Sequence, residues 1–185
     1  MKNVKLDESI QETYSKYIMP VREIEHSFRV AALCLKIGGE LNLSKKQLLI
    51  LHESALYHDI GKADIPLAIL SKKGKLNSDE FEIIKNHPIY SQRYVKNNKK
   101  ISKIVRAHHE RWDGKGYPDK IRGKNIPLLA RIISVADVYD ALKYPRVYRP
   151  YSFDKKDIGK IMAKGSGNQF DPEILKVFLE ILKYL

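Results

Sequence analysis

The stretch Ile101-Ser102-Lys103-Ile104-Val105-Arg106-Ala107-His108-His109-Glu110-Arg111-Trp112-Asp113-Gly114-Lys115-Gly116-Tyr117-Pro118 decides how this chain is read. Ile101, Ile104 and Val105 recur at helical spacing. They predict a helix from Ile101 to His109 that delivers a histidine pair to the start of a glycine-rich loop. Two adjacent imidazoles are costly to bring together unless something binds them. Glycines let backbone come close to a ligand. By itself the segment points to a metal site beside a ligand-facing loop.

Working outward, the chain reads as helix after helix. Val21 to Ile37 places Ile24, Phe28, Ala31, Ala32 and Leu35 at helical spacing, and Gly38-Gly39 is the expected stop. Ser44 with Gln47 forms a capping box for a second helix, expected to run through Leu48, Leu51 and Ala55 to His58-Asp59 and to end at Gly61. Ala63 to Leu76 reads as an ordered loop broken by Pro66, and Asn77 with Glu80 as a further capping box for a helix ending near Asn86. Pro88 suits the start of the next helix, where its missing N–H is no loss. Pro127 starts a long helix through Asp137 to about Leu142, and Asp171-Pro172 caps the last, which carries Ile174, Leu175, Phe178 and Leu179. No persuasive alternation of period two and no internal repeat is present. The expectation is a single all-α domain over residues 21–185, preceded by a lead-in segment or short helix over residues 1–20.

Composition bounds the function classes. With 185 residues and 43% hydrophobic content the chain can bury a sizeable core. It has no apolar run of ~18 residues and its polar first residues lack a signal-peptide core, so no membrane span is expected. The single cysteine, Cys34, cannot form an internal disulfide and reads as a small buried thiol; a cytoplasmic location follows. The net charge of +12 favours anionic partners. The lysine pairs at 45–46, 72–73, 99–100 and 155–156 read as a solvated basic surface, with no dedicated nucleic-acid groove.

Of the six histidines, His26, His52, His58, His87, His108 and His109, any one alone would be read as structural. Their positions change that. His58-Asp59 and His108-His109 both stand where a predicted helix ends. Neighbours on a helix point ~100° apart, so adjacent residues share a metal most easily at a helix end. His87 precedes a proline at a helix junction, and Asp137 lies in the apolar run Ser134 to Val138, where an unpaired carboxylate would be costly to bury. His52 falls in no such setting and reads as structural or exposed.

At these positions the chain resembles the HD-GYP phosphodiesterases, a branch of the HD-domain metal-dependent phosphohydrolases. The matching pieces are His26 to Ala31, His58-Asp59-Ile60-Gly61-Lys62, Asn86-His87-Pro88, His108 to Pro118, Ile126 to Arg131, Ala136 to Leu142 and Gly165 to Pro172. They cover nearly all of the chain from about Val21 on. The resemblance implies an HD-domain helical bundle with an extended Gly-Tyr-Pro loop. It implies seven metal ligands: His26, His58, Asp59, His87, His108, His109 and Asp137. With Asp59 bridging, these supply roughly four bonds to each of two divalent ions and leave about two positions open on each. Iron or manganese is favoured; nickel or zinc also suits imidazole and carboxylate. The implied activity is hydrolysis of cyclic di-GMP to linear pGpG, in some members onward to GMP, by attack of a hydroxide held at a two-metal site. Asp59 and Lys62 are the expected catalytic residues, Lys62 offsetting charge on the phosphoryl oxygens. Gly116, Tyr117 and Pro118 are expected to wall the substrate, and Arg146 and Arg149 to hold phosphate. Arg111 and Trp112 read as packing.

The chain departs from the family pattern in three places. Some members carry a glutamate one turn before the first histidine that helps hold a third metal; here Arg22 stands there, Glu23 and Glu25 are expected to point elsewhere, and two ions are expected. Ser91 replaces a usual glycine, read as a packing change. Lys143-Tyr144-Pro145 replaces small polar residues. Members usually carry a sensor or receiver domain, so a separate sensor or signalling partner is expected. Two other readings stand beside this one: a general HD-domain nucleotide phosphohydrolase, which the basic charge would suit, and a catalytically silent cyclic-dinucleotide adaptor. The Gly-Tyr-Pro loop favours a cyclic dinucleotide over the first, and the intact ligand set argues against the second.

Overall fold

The computed structural model describes residues 21–146 and 149–185. The lead-in expected over residues 1–20 lies outside them. The described chain is helical: α1 (Val21–Glu40), α2 (Lys45–Tyr57), α3 (Leu67–Leu70), α4 (Ser78–Ile84), α5 (His87–Tyr94), α6 (Lys99–Arg106), α7 (Leu128–Lys143), α8 (Lys155–Ala163) and α9 (Pro172–Leu182), with 3-10 turns at Ile60–Asp64 and Gly123–Asn125. Among the described residues extended pairing is limited to isolated bridges, Arg146 with Arg149 and Ser166 with Phe170. The all-α class is as the sequence predicts.

The caps explain most boundaries. Ser44 and Gln47 bond reciprocally at the start of α2, as do Asn77 and Glu80 at α4, so each box satisfies two otherwise unpaired helix N–H groups. Asp171 caps α9 ahead of Pro172. The first glycine stop is a misreading. α1 runs through Gly38-Gly39, and its end is made by Asn42 at φ 53°, with Leu43 N–H donating to the Gly38 carbonyl and Asn42 N–H to Gly39. That is a Schellman ending with asparagine in the left-handed position. Gly38 instead serves packing: a Cβ there would sit 2.8 Å from Leu48 Cδ2, so glycine lets α2 press onto α1.

Gly61 is likewise not a terminator. α2 ends at Tyr57, and Gly61 lies inside the following 3-10 turn. A Cβ on it would meet the His87 carbonyl oxygen at 2.2 Å and Ser91 N at 2.3 Å, so its bare backbone is what lets α5 lie against the turn. Ser91 Oγ accepts the buried Gly61 N–H at 2.8 Å, giving the serine a bond as well as a packing role. The expected loop 63–76 contains the short α3, and α6 stops at Arg106, leaving His108 and His109 in the turn just beyond it. α8, capped by Asp154, was not anticipated, because Ile158 and Met162 are its only buried apolar side chains.

The core joins α1, α2, α7 and α9 through Val30, Ile37, Leu51, Leu56, Ile132, Ile133, Val135, Ile174 and Phe178, all 1% exposed or less. Each such side chain contributes about 1.5–3 kcal/mol on burial. α7 is buried on almost every side, which is why its inward carboxylates, Asp137 and Asp140, call for partners. Cys34 is fully buried, and burial pushes its thiol well above the usual range, so it is an inert packing group. No helix among the described residues is long and apolar enough to cross a membrane.

Candidate metal centre

Five elements converge on one point. α1 brings His26, the end of α2 brings His58 and Asp59, the first residue of α5 is His87, the turn after α6 carries His108 and His109, and α7 supplies Asp137. His26, His58, Asp59, His87 and His108 are each 2% exposed or less.

Local folding aims the rings. His58, His87 and His108 each turn Nδ1 toward the carbonyl three residues back, Ala55 at 2.7 Å, Ile84 at 2.7 Å and Val105 at 2.6 Å. A carbonyl only accepts, so Nδ1 must carry the proton and Nε2 is left as a lone pair facing inward. These carbonyls belong to helix ends, where acceptors lack intrahelical partners. One feature thus completes the helix and fixes the tautomer. His26, in mid-helix, uses a carboxylate instead: its Nδ1 donates to Asp140 Oδ2 at 2.5 Å, and Arg29 holds Asp140 through Nε at 2.6 Å.

Asp59 stands between the two halves. Its Oδ1 is 3.1 Å from His87 Nε2 and 3.7 Å from His108 Nε2; its Oδ2 is 3.4 Å from His58 Nε2 and 3.6 Å from His26 Nε2. Asp137 Oδ1 joins the second half at 3.1 Å from His26 Nε2. The donors form two groups able to hold a cation, Asp59-His87-His108-His109 and His26-His58-Asp59, with Asp59 in both. The fit of metal ions follows from what is left unpaired: among the described residues His58 Nε2 and Asp59 Oδ1 are buried with no hydrogen-bond partner, and the lone-pair nitrogens of His87 and His108 face each other at 3.3 Å. Such atoms are expensive to bury unless cations take them up. Oxygen and imidazole donors without thiolate suit divalent first-row metals.

The electrostatics agree. Burial drives His108 down to about 4 and His109 well below the usual histidine range, with neighbouring imidazoles pushing the same way. Burial alone would raise Asp59 and Asp137, but Lys62 and His58 around Asp59, and His26 beside Asp137, hold both well below the usual carboxylate range. His26 runs the other way: burial would lower it, yet Asp137 and Asp140 raise it to about 9.

Lys62 Nζ lies 2.7 Å from Asp59 Oδ2 and 2.9 Å from Glu23 Oε2. The expectation that Glu23 points away is therefore corrected. It stands three residues before His26, on the same helix face, and is 6% exposed. Glu25, with its side chain 64% exposed, does point away, near Arg29. Arg22 donates to the Leu70 carbonyl and to Glu23 Oε1. Sequence reasoning also gave no role to Asp140; the signal was its spacing, one turn after Asp137 on α7.

The Gly-Tyr-Pro loop lies against the histidine pair. Tyr117 stacks on His109 with ring centroids 4.9 Å apart, and its N–H donates to the His109 carbonyl. Gly116 permits this, since a Cβ would lie 2.4 Å from Arg111 N and 2.5 Å from Glu110 Cα. Pro118 follows through a cis peptide bond. Arg111 pairs with Asp113, and Trp112 lies under the Arg131 guanidinium, both as packing roles predict. Arg146 lies beside His26 and Asp140, its Nη2 3.2 Å from His26 Nδ1 and 3.6 Å from Asp140 Oδ2. Arg149 differs from its partner: its guanidinium donates to the Ala141, Leu142, Tyr144 and Tyr151 carbonyls and so closes the C-terminal end of α7. Both arginines line the cavity of about 700 Å³ that opens over Asp59, His87, His109 and Asp137. Its other walls carry Lys72, Lys75, Phe81 and Tyr151. His52 is half-buried on α2 and lies in neither ligand group.

Comparison with known proteins agrees with this geometry. The chain is 41% identical over 143 residues to a cyclic di-GMP phosphodiesterase of Vibrio cholerae, covering 71% of this chain and 29% of that protein. It is 41% identical over 159 residues to the 3'3'-cGAMP-specific phosphodiesterase 1 of the same organism, covering 84% and 37%. It thus spans well under half the length of these relatives. Among solved structures, an HDG"Y"P protein from Bdellovibrio bacteriovorus superposes with a TM-score of 0.70 at 23% identity, covering 86% of this chain and 52% of that one, which bears on the fold. Residues 17–174 match the model of the HD domain, and the chain belongs to the HD-domain family.

Proposed function

We propose that this chain is a metal-dependent phosphodiesterase that opens cyclic dinucleotides, with cyclic di-GMP as the foremost substrate, yielding linear pGpG and, on further cleavage, GMP. One observation carries the reading: two donor groups sharing Asp59 lie at the floor of a cavity with basic and aromatic walls. The shared donor groups suit the phosphodiester, and the basic and aromatic walls suit its charge and its guanine bases. Relatives named for cyclic di-GMP and for 3'3'-cGAMP at equal identity support the substrate class and leave the choice of bases to the cavity wall.

His26, His58, Asp59 and Asp137 would hold one ion and Asp59, His87, His108 and His109 the other. Bound there, the ions would activate water and polarise the phosphoryl group. Iron and manganese are the favoured ions. The protein's own part is positional. Nδ1 anchoring keeps the imidazoles in register, and Lys62 places a fixed positive charge next to Asp59, where negative charge grows on the phosphoryl oxygens. Tyr117, backed by His109 and fixed by Gly116 and Pro118, offers a flat face to a base or ribose. Arg146 is the better-placed phosphate ligand of the arginine pair, because Arg149 is engaged by carbonyls. A separate sensor or signalling partner and a cytoplasmic setting complete the reading.

The test is a substrate panel on manganese- or iron-loaded protein: cyclic di-GMP, cyclic GMP-AMP, a nitrophenyl phosphodiester and nucleoside monophosphates. Linear dinucleotide from the cyclic substrates is the expected product. Turnover of mononucleotides alone would replace this reading with a general nucleotide phosphohydrolase, and tight binding of cyclic di-GMP without turnover with an adaptor domain.

A further inference from the structure

We infer that Glu23 is a positioning residue that neutralises the Lys62 ammonium, so that Asp59 can serve a buried lysine and the metal centre together. The inference rests on the metal-dependent reading above and assigns a new role within that site.

The geometry is a chain of alternating charges. Asp59 Oδ2 meets Lys62 Nζ at 2.7 Å, Lys62 Nζ meets Glu23 Oε2 at 2.9 Å, and Glu23 Oε1 meets Arg22 Nε at 3.2 Å. Arg22 is tied in turn to the Leu70 carbonyl on the cavity wall, at 3.1 Å. Glu23 and Asp59 are buried, and the Lys62 side chain is 17% exposed, so solvent screens these charges little. Asp59 Oδ2 also faces His26 and His58, so the lysine and one metal position draw on the same oxygen. An ammonium held there with Asp59 as its sole counter-charge would repel a cation and withdraw electron density from its ligand. Glu23 supplies the second negative charge. Asp59 Oδ1 is the oxygen nearest His87 and His108, whereas Lys62 meets Oδ2, so the effect falls mainly on the half that Oδ2 serves.

The account therefore predicts which charges compensate. Manganese titration of metal-free protein, followed by calorimetry, reads the two binding steps. Glu23→Gln, a neutral near-isostere, should weaken one step by about 10- to 100-fold, the range typical for loss of an outer partner of a metal ligand, and the other step by less. Glu23→Asp, which keeps the charge on a shorter arm, should fall in between. The deciding variant is Glu23→Gln combined with Lys62→Met, in which the ammonium and its counter-charge go together: manganese affinity should return to the wild-type value. A merely structural Glu23 would leave the double variant as weak as the single one, or weaker.

Thermal unfolding of each metal-free variant confirms folding, and the Glu23→Asp titration decides the matter should the glutamine variant fail to fold. With saturating manganese, Glu23→Gln should lower kcat on cyclic di-GMP with KM nearly unchanged. Wild-type-like manganese binding by Glu23→Gln, or no recovery in the double variant, overturns the inference. A wild-type chain that binds manganese and opens no cyclic dinucleotide overturns the substrate reading alone, and the titrations still decide the role of Glu23. A wild-type chain that binds no manganese overturns both.

Discussion

The two walls of the cavity are built by opposite means. Asp59, His87, His109 and Asp137 form the floor, and with His26, His58 and His108 behind it the donors are mostly buried, the imidazoles of His26, His58, His87 and His108 pinned at Nδ1 by a helix-end carbonyl or by Asp140. The facing wall is formed by the segment from Ile69 to Phe81 and by Tyr151; Phe81 is 46% exposed, Tyr151 58%, and Lys75 is exposed. The floor's donors are tied down by hydrogen bonds, whereas the wall's side chains stand open to solvent. Reaction chemistry needs donors fixed to within fractions of an ångström. Recognition of a particular base pair does not. On the proposed reading, the floor would set the reaction class and the wall the choice among cyclic dinucleotides.

The sharpest way to break the contrast is to strike the floor at its shared point. Asp59→Ala removes a donor from both ligand groups and should lower kcat/KM by about 10³-fold or more, since metal stabilisation of the developing charge is worth several kcal/mol. Near-native turnover would remove Asp59 from its bridging role. Next comes Gly116→Ala. A Cβ 2.4 Å from Arg111 N must displace the loop, and a misplacement of this order costs about 100-fold in turnover while the metal content holds. Steady-state kinetics with metal analysis on the same sample checks both halves of that statement.

Ser91→Ala tests the floor's support without touching a donor. It strands the buried Gly61 N–H and should cost about 1–3 kcal/mol of stability, read from denaturant unfolding. The smallest effect belongs to the facing wall. Lys75→Ala should raise KM only a few-fold with kcat unchanged, because one exposed charge is worth about 0–1 kcal/mol, and the difference should fade as salt is added. A large kcat effect there would dissolve the distinction between the walls.

The same contrast separates what the sequence made legible from what it did not. The floor was readable because its signals are local. Doublets at helix ends, a histidine before proline and a lone carboxylate in an apolar helix each point to a ligand before any packing is known. The capping boxes at Ser44 and Asn77 placed helix starts for the same reason. Tertiary contacts were invisible. Gly38 and Gly61 read as stops, but they are places where another element comes within 3 Å of where a Cβ would stand. Arg149 read as a phosphate ligand, yet it lies on the carbonyls at the end of α7, a partner fixed only by how the chain turns back after Tyr144. Glu23 was misplaced although the i, i+3 rule alone sets it on the face of His26. The helix Lys155–Ala163 escaped notice because just two of its side chains enter the core apolar and buried.

The most direct test of the central claim is anomalous diffraction from crystals of the chain soaked in manganese. The account predicts two peaks flanking Asp59, one among His26, His58 and Asp137 and the other among His87, His108 and His109. A single peak, or manganese bound away from Asp59, would contradict it.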